Sequence, residues 1–89
     1  MQTLWRVECR RELDRDIRVF GGPGLGAAIP RDVLGYLDRM RSWAFAEVRC
    51  FRAGQCVQRW LGTPERVRCG VALWLGGLRP LPVLPPHPS

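Results

Sequence analysis

This chain has 89 residues, of which 46% are hydrophobic, and its formal net charge at pH 7 is +6. A chain of this length forms a single domain with one modest core, and an apolar fraction this high excludes a disordered protein. The excess of positive charge predicts an anionic partner, such as nucleic acid, an acidic protein surface or anionic lipid.

Lysine is absent, so all 14 strongly basic residues are arginine. A guanidinium group can bind phosphate or carboxylate through two parallel hydrogen bonds, which an ammonium group cannot do. The chain also lacks asparagine and is rich in glycine, proline and arginine, so we attribute the use of arginine in place of lysine to coding bias. That bias does not explain why positive charges outnumber negative ones.

Residues 3–10 and 17–20 are predicted to form the first two strands, because apolar and polar side chains alternate in both. The side chains predicted to face the core are Trp5, Val7, Cys9, Ile17 and Val19. Those predicted to face solvent are Arg6, Glu8, Arg10, Arg18 and Phe20. The charged segment between the strands, residues 11–15, is too short for a helix and predicts a turn.

Residues 21–26 are predicted to form a loop, because glycine and proline dominate them. Pro30 fits the first turn of a helix, where its missing N–H removes no hydrogen bond. A helix is therefore predicted over residues 31–44, with an apolar stripe at helical spacing. The stripe consists of Val33, Leu34, Leu37, Met40 and Ala44.

Residues 47–52 and 56–61 are predicted to form a hairpin around a three-residue loop, residues 52–54, in which glycine takes the left-handed position. This register pairs Phe51 with Gln55, Cys50 with Cys56 and Glu47 with Arg59. The last pair would be a cross-strand contact between opposite charges. The same register turns Gln58 toward the core, which is a weakness of the assignment.

Residues 66–75 show the clearest two-residue alternation and are predicted to form a strand. The predicted inward side chains are Val67, Cys69, Val71, Leu73 and Leu75. The predicted outward positions are Arg66, Arg68, Gly70, Ala72 and Trp74. Residues 76–89 contain five prolines and are predicted to form an extended or disordered tail.

Together these elements predict one α+β domain over residues 1–75, followed by the proline-rich tail. The domain would contain a small antiparallel sheet of four to five strands, in the chain order ββαβββ, with one helix packed on its apolar face. The order of strands within the sheet does not follow from the sequence. An edge strand of so small a sheet can pair with a second copy, so a homodimer is a further expectation.

The alternation places most arginines on the solvent face of the predicted sheet, beside aromatic side chains. Guanidinium groups bind backbone phosphates, and aromatic rings on a sheet stack on unpaired bases, so this face predicts a nucleic-acid platform. The predicted binding residues are Arg6, Arg10, Arg18, Arg49, Arg59, Arg66, Arg68, Phe51 and Trp74. The alternative is an ordinary solvated face that Glu8 and Glu47 partly neutralise.

The four cysteines are Cys9, Cys50, Cys56 and Cys69. The strand assignments place all four on the apolar face, where a free thiol behaves as a small hydrophobic group, so core packing is the preferred interpretation. A disulfide between Cys50 and Cys56 is an alternative if the chain is exported. A metal site is less favoured, because no two cysteines have the close spacing of zinc ligands. We expect no metal and no cofactor.

Residues 22–27 match the pattern GxGxxA between a predicted strand and a predicted helix, where a dinucleotide-binding loop would lie. The chain is too short for the doubly wound fold that uses this loop, Pro30 intervenes before the helix, and the neighbouring strands are predicted to be antiparallel. A flexible connector is therefore the preferred interpretation.

Residues 79–85 match the pattern RxxPxxP and resemble a ligand of Src-homology-3 domains, in which a polyproline helix docks on an aromatic groove. The resemblance covers only this short segment, and proline-rich tails match the pattern by chance. It implies a partner only where the host or the target is a eukaryote.

Catalysis is not expected, because the predicted folded part offers no nucleophile beside a general base, and the single histidine lies at position 87. We predict a non-enzymatic protein that docks its arginine-rich sheet face on nucleic acid or a nucleoprotein complex, as an accessory or regulatory factor. The alternative is a stoichiometric inhibitor or adaptor for an acidic protein surface, as in phage or mobile-element anti-defence, anti-CRISPR and antitoxin proteins.

The chain is expected to be cytoplasmic and to have no membrane partner. No stretch approaches the length of about 18 apolar residues that a membrane span requires. The first residues show no cationic leader followed by an apolar segment, so no signal peptide is predicted. In the cytosol, the thiols would stay reduced.

Overall fold

The computed structural model describes residues 3–21 and 28–77, which form four strands and two helices. In chain order these are β1 (Thr3–Arg11), β2 (Asp14–Gly21), α1 (Ala28–Arg39), β3 (Phe45–Arg52), β4 (Gln55–Gly62) and α2 (Pro64–Gly77). The strands form one antiparallel sheet in the order β2-β1-β3-β4. This confirms the predicted small α+β fold with an antiparallel sheet.

Both helices pack on one face of the sheet, and the core lies between them and that face. Side chains alternate along a strand, so every second residue of β1 and β3 points into this core. The buried core residues are Trp5, Val7, Cys9, Val33, Tyr36, Leu37, Ala46, Val48, Cys50, Val67 and Val71. Each fully buried aliphatic side chain among them contributes about 1.5–3 kcal/mol to folding. The predicted inward residues of β1 are confirmed.

Within the described residues, no helix or strand covers the other face of the sheet, which we call the open face. Directly paired residues on neighbouring strands share a face, so the register identifies its members. They are Leu4, Arg6, Glu8, Arg10, Arg15, Ile17, Val19, Phe45, Glu47, Arg49, Phe51, Cys56, Arg59 and Leu61. Charged residues therefore occupy the middle of the open face, and apolar residues lie toward its edges.

The facing of β2 is opposite to the prediction. Val7 pairs with Arg18, and Trp5 pairs with Phe20, so both partners lie on the helix-covered face. Val19 instead lies on the open face and is 59% exposed. The turn between β1 and β2 contains only two residues, with a positive φ of 49° at Glu12, and it fixes this register. A shift of one residue exchanges the two faces of a strand.

The hairpin between β3 and β4 also differs from the prediction. Its turn has two residues, Ala53 and Gly54, whose φ angles of 51° and 80° suit a tight left-handed turn. An irregularity at Cys50 and Phe51 then shifts the register by one more residue. The predicted pairs are therefore wrong, and the observed ones are Phe51 with Cys56, Cys50 with Gln58, Arg49 with Arg59 and Glu47 with Leu61.

Gln58 lies on the helix-covered face, as predicted, and it is half-buried there. Its side-chain oxygen accepts a hydrogen bond from the backbone N–H of Arg59 at 3.0 Å. This hydrogen bond gives the side-chain oxygen of Gln58 a partner, which it would otherwise lack on the core side of the sheet.

The first helix begins three residues earlier than predicted and ends five residues earlier, at Arg39. Pro30 lies in its first turn, as predicted, and the buried Val33 and Leu37 form the centre of the predicted stripe. Ala44 is outside the helix, and its N–H donates to the carbonyl of Arg10 at 3.0 Å. The chain leaves the helix early because it must enter β3 beside β1.

The segment predicted as a fifth strand is the helix α2. Thr63 begins it, because its hydroxyl accepts a hydrogen bond from the N–H of Arg66 at 3.3 Å, and Pro64 occupies the first helical position. Val67 and Val71 are buried one turn apart, whereas Leu73 is 76% exposed. The predicted burial of every second residue is therefore wrong for this segment. Its buried residues instead follow the spacing of a helix.

Three tryptophan rings pack together where α2 contacts the sheet. The rings of Trp5 and Trp60 stack with centroids 5.8 Å apart, and the ring of Trp74 meets both edge-on at 5.8 and 5.5 Å. Gly70 passes directly beneath Trp60, where a Cβ atom would lie 2.7 Å from the indole Cδ1. The absence of a side chain at position 70 therefore permits this close approach.

Two predicted features lie outside the described residues, namely the glycine-rich loop after residue 21 and most of the proline-rich tail with its RxxPxxP segment. The helix α2 continues to Gly77, so the folded part extends two residues past the predicted domain end at residue 75. Neither helix in residues 28–77 is long and apolar enough to cross a membrane.

Candidate anion-binding site

Five arginines converge on the open face, and they surround two glutamates at its centre. Glu8 of β1 lies directly opposite Glu47 of β3. The arginines are Arg6, Arg10, Arg15, Arg49 and Arg59. Neighbouring carboxylates on paired strands would repel each other without such compensation. The site is thus a layer of guanidinium groups built on two buried negative charges.

Glu8 is the more enclosed of the two carboxylates, with only 2% of the residue exposed. Arg10 donates to one carboxylate oxygen at 2.5 Å, and Arg6 donates to the other at 3.0 Å. Burial acts to raise the pKa of Glu8, but the hydrogen bonds from Arg10 and Arg6 and the charges of Arg10 and Arg15 outweigh it, so the pKa lies below 4.5. Glu8 is therefore ionised at neutral pH.

Glu47 is 5% exposed and lies under a second group of guanidinium groups. Arg59 donates to its Oε2 atom at 2.6 Å, and Arg49 donates to the same oxygen at 3.0 Å. Burial acts to raise the pKa of Glu47, but these hydrogen bonds and charges lower it below 4.5. Arg6 lies 3.8 Å from the other oxygen and so links the two glutamates into one network.

The network leaves a positive surplus on the open face. Five arginines against two glutamates give this cluster a net charge of +3. The arginine side chains remain between 27% and 57% exposed, whereas the carboxylates are almost completely covered. Each guanidinium group has five N–H donors, and the hydrogen bonds to glutamate use only some of them. The face can therefore bind an anion without first breaking the network.

Five of the nine predicted binding residues lie together on this face. They are Arg6, Arg10, Arg49, Arg59 and Phe51. The register places Arg6, Arg49 and Arg59 side by side across three strands. This row runs across the sheet, perpendicular to the strands, with neighbouring strands about 4.8 Å apart.

The other four predicted binding residues lie elsewhere. Arg18 belongs to the helix-covered face, where its guanidinium lies 5.6 Å from the ring centroid of Tyr36. Arg66 and Arg68 belong to α2, and Arg68 forms an ion pair with Asp38 of α1 at 2.5 Å. Trp74 packs in the tryptophan cluster. The reversed facing of β2 and the helical conformation of residues 64–77 explain all four corrections.

A hydrogen bond from Tyr36 anchors the inner side of β2. The Tyr36 hydroxyl donates to Asp16, which lies 3.4 Å from the guanidinium of Arg18. The hydrogen bond from Tyr36 lowers the pKa of Asp16, and Arg18 lowers it further, although burial acts in the opposite direction. Arg18 therefore contributes to the contact between β2 and α1 rather than to the open face.

Sequence reasoning missed three members of the site. Arg15, read as part of a turn, lies opposite Arg10 and 3.5 Å from Glu8. Phe45 lies opposite Arg10 on the other side, and the Arg10 guanidinium lies 5.6 Å from its ring centroid. Leu4 lies opposite Phe51 at the far end of the face. A predicted turn of only two residues after Arg11 would have placed Arg15 in β2, opposite Arg10 and on the same face.

The cysteines divide into two buried and two exposed residues, and all four are free thiols. Burial raises the pKa of Cys9 to about 11 and also raises that of Cys50, so both are protonated packing groups, as predicted. Cys56 and Cys69 are exposed, contrary to the prediction, because the register of β4 and the helix α2 turn them outward. Residues 3–21 and 28–77 contain no group of three or more side chains able to hold a metal ion.

The buried glutamates make the stability of the domain depend on pH. Their folded pKa values lie below the ordinary value of 4.5, so their stabilising effect is complete above pH 4.5 and is lost as the pH falls through the lowered values. We expect the free energy of unfolding, measured with urea, to fall between pH 5 and pH 3. The Glu8→Gln/Glu47→Gln variant should lose less over that interval, and an equal loss would contradict this assignment.

Comparison with protein-family models, with curated proteins and with solved structures finds no significant match to this chain.

Proposed function

We propose that this protein is a non-enzymatic binding module that docks its open face on nucleic acid or a nucleoprotein complex, as an accessory or regulatory factor. The observation that carries the proposal is the convergence of five partly exposed guanidinium groups on the open face, with a net charge of +3. Phosphate groups pair with guanidinium groups through charge-assisted, often bidentate hydrogen bonds.

The chemistry of the open face supports binding rather than catalysis. Glu8 and Glu47 are its acidic groups, and both are ionised and covered by arginines. A carboxylate with a lowered pKa, held by several hydrogen bonds, is a poor general base and cannot act as a general acid at neutral pH. The proposal therefore includes no enzymatic activity.

The salt dependence of nucleic-acid binding tests the proposal. A cluster with a net charge of +3 should neutralise about three phosphates of a single strand. The slope of log K against log salt concentration should therefore be about −2. Affinity for a labelled single-stranded oligonucleotide should therefore fall about 20-fold between 50 and 200 mM salt. Fluorescence anisotropy measures both quantities. No detectable binding at 50 mM salt would overturn the proposal.

The variant Arg15→Gln/Arg59→Gln locates the binding surface. It removes one arginine from each glutamate and leaves Arg6 and Arg10 on Glu8 and Arg49 on Glu47, so the fold should survive. The slope of log K against log salt concentration should become shallower, at about −0.7.

The matched control is Arg39→Gln/Arg66→Gln, which removes the same charge from exposed positions on the two helices. It should leave the slope near the wild-type value. Equal effects of the two double variants would mean that binding depends on total charge and not on the open face.

A second candidate function is a stoichiometric inhibitor or adaptor that binds an acidic protein surface. Its specific support is a set of exposed aliphatic side chains on the open face, namely Ile17, Val19 and Leu61. Aliphatic anchors beside arginines are typical of protein interfaces, and phosphates gain nothing from them. A discrete complex that survives 200 mM salt, together with no oligonucleotide binding, would favour this function and the anti-defence or antitoxin class.

The proposal also includes a cytoplasmic location, which suits four free thiols. Pairing of two copies through an edge strand stays a prediction, and β2 and β4 are the edges at which it would occur.

A further inference from the structure

An apolar pocket adjoins the arginine row at one end of the open face. It has a volume of about 470 Å³ and is lined by Leu4, Arg6, Phe51, Ala53 and Gly54. Leu4 and Phe51 are cross-strand partners, and the two turn residues of the β3–β4 hairpin also line the pocket. Among the described residues that line the pocket, the side chains are apolar except for the guanidinium group of Arg6.

The guanidinium of Arg6 borders the pocket in a fixed orientation. Arg6 lies 3.0 Å from Glu8 and 3.8 Å from Glu47, and only 27% of its side chain is exposed. Phe51 therefore forms an aromatic wall of the pocket and Leu4 an aliphatic wall. Arg6 forms a cationic edge, and its ion pairs with the two glutamates restrict its movement. A flat group with a polar rim suits such walls better than a branched aliphatic chain does.

The arginine row continues away from the pocket across the sheet. Arg6 lies two positions after Leu4 on β1, and its partner Arg49 lies two positions before Phe51 on β3, a distance of about 6.6 Å along each strand. Arg59 extends the row onto β4. An occupant of the pocket would therefore have its attached chain lying over three guanidinium groups. A planar group joined to a chain of anions is the chemistry of a nucleotide.

We propose that this pocket holds one unpaired nucleobase, stacked on Phe51, of a single strand whose phosphates lie on the arginine row. The proposal rests on the proposed function and narrows it from nucleic acid in general to single strands. A base inside a duplex is stacked and paired, so it cannot enter a pocket at the rim of a flat sheet. Stacking is sequence-tolerant, so the site would select single strands without selecting a sequence.

The test compares a labelled 12-nucleotide oligothymidine with an abasic strand of the same length and charge, by fluorescence anisotropy at 50 mM salt. The wild-type protein should bind the base-bearing strand about 5- to 100-fold more tightly. Phe51→Leu keeps an apolar side chain but removes the aromatic ring, so it should abolish most of that difference. Circular dichroism and urea denaturation establish that the variant is folded.

Phe20→Leu is the matched control. Phe20 lies on the helix-covered face, where its ring packs beside Tyr36, so the variant should preserve the preference for the base-bearing strand. Equal binding of both strands by the wild-type protein would overturn the pocket proposal while the proposed function stands. Binding of neither strand would overturn both.

Discussion

Replacing Gly70 with alanine is expected to destabilise the domain by about 1–3 kcal/mol, the usual cost of overpacking a core. The added Cβ would lie 2.7 Å from Cδ1 of Trp60 and 3.1 Å from its Nε1. Trp60 cannot easily yield, because Trp5 stacks on its ring and Trp74 meets it edge-on. The free energy of unfolding in urea, followed by tryptophan fluorescence, measures this loss.

Gly35→Ala is the matched control for this prediction. Gly35 is exposed in the middle of α1, and a Cβ there would meet no atom within 4 Å. The substitution should therefore stabilise the domain by about 0.5–1 kcal/mol through helix propensity alone. Opposite signs at the two glycines would support the contact between α2 and the tryptophans. Stabilisation at both positions would mean that α2 does not pack so closely on Trp60.

Replacing both buried glutamates with glutamine is expected to strengthen nucleic-acid binding. The substitutions remove two negative charges and raise the net charge of the cluster from +3 to +5. The slope of log K against log salt should steepen to about −3.5, and affinity at 50 mM salt should rise about tenfold to a hundredfold. Fluorescence anisotropy with the oligothymidine strand measures both quantities.

The same double variant should be less stable at pH 7. Each glutamate accepts charge-assisted hydrogen bonds, which contribute about 1.5–3 kcal/mol each, and glutamine cannot replace them fully. Binding must therefore be measured below the temperature at which the variant begins to unfold. Glu65→Gln on α2 is the control, because it changes the charge at an exposed position away from the open face. A folded variant with unchanged or weaker binding would contradict the proposed surface.

Sequence reasoning succeeded where a strand has one apolar face and one charged face. In β1, Trp5, Val7 and Cys9 alternate with charged residues, and all three are buried. The same alternation also placed four of the five clustered arginines on the solvent side of the sheet, which is the open face. Local chemistry also placed Pro30 in the first turn of a helix.

Prediction from the sequence failed where two arrangements of a segment bury similar amounts of apolar surface. In β2, either Val19 or Phe20 could face the core, and each choice leaves an apolar residue on the open face. Only pairing with β1, fixed by the two-residue turn, selects Phe20. Four of the nine predicted binding residues were misplaced for reasons of this kind.

By itself, the sequence determined the α+β class, the antiparallel sheet, the inward face of β1 and the excess of arginine. Packing decided that residues 64–77 form a helix, because Val67 and Val71 satisfy both the two-residue period of a strand and the four-residue spacing of a helix. Packing also brought Glu8 opposite Glu47. Long-range pairing between β1 and β3 creates that contact, and no local pattern encodes it.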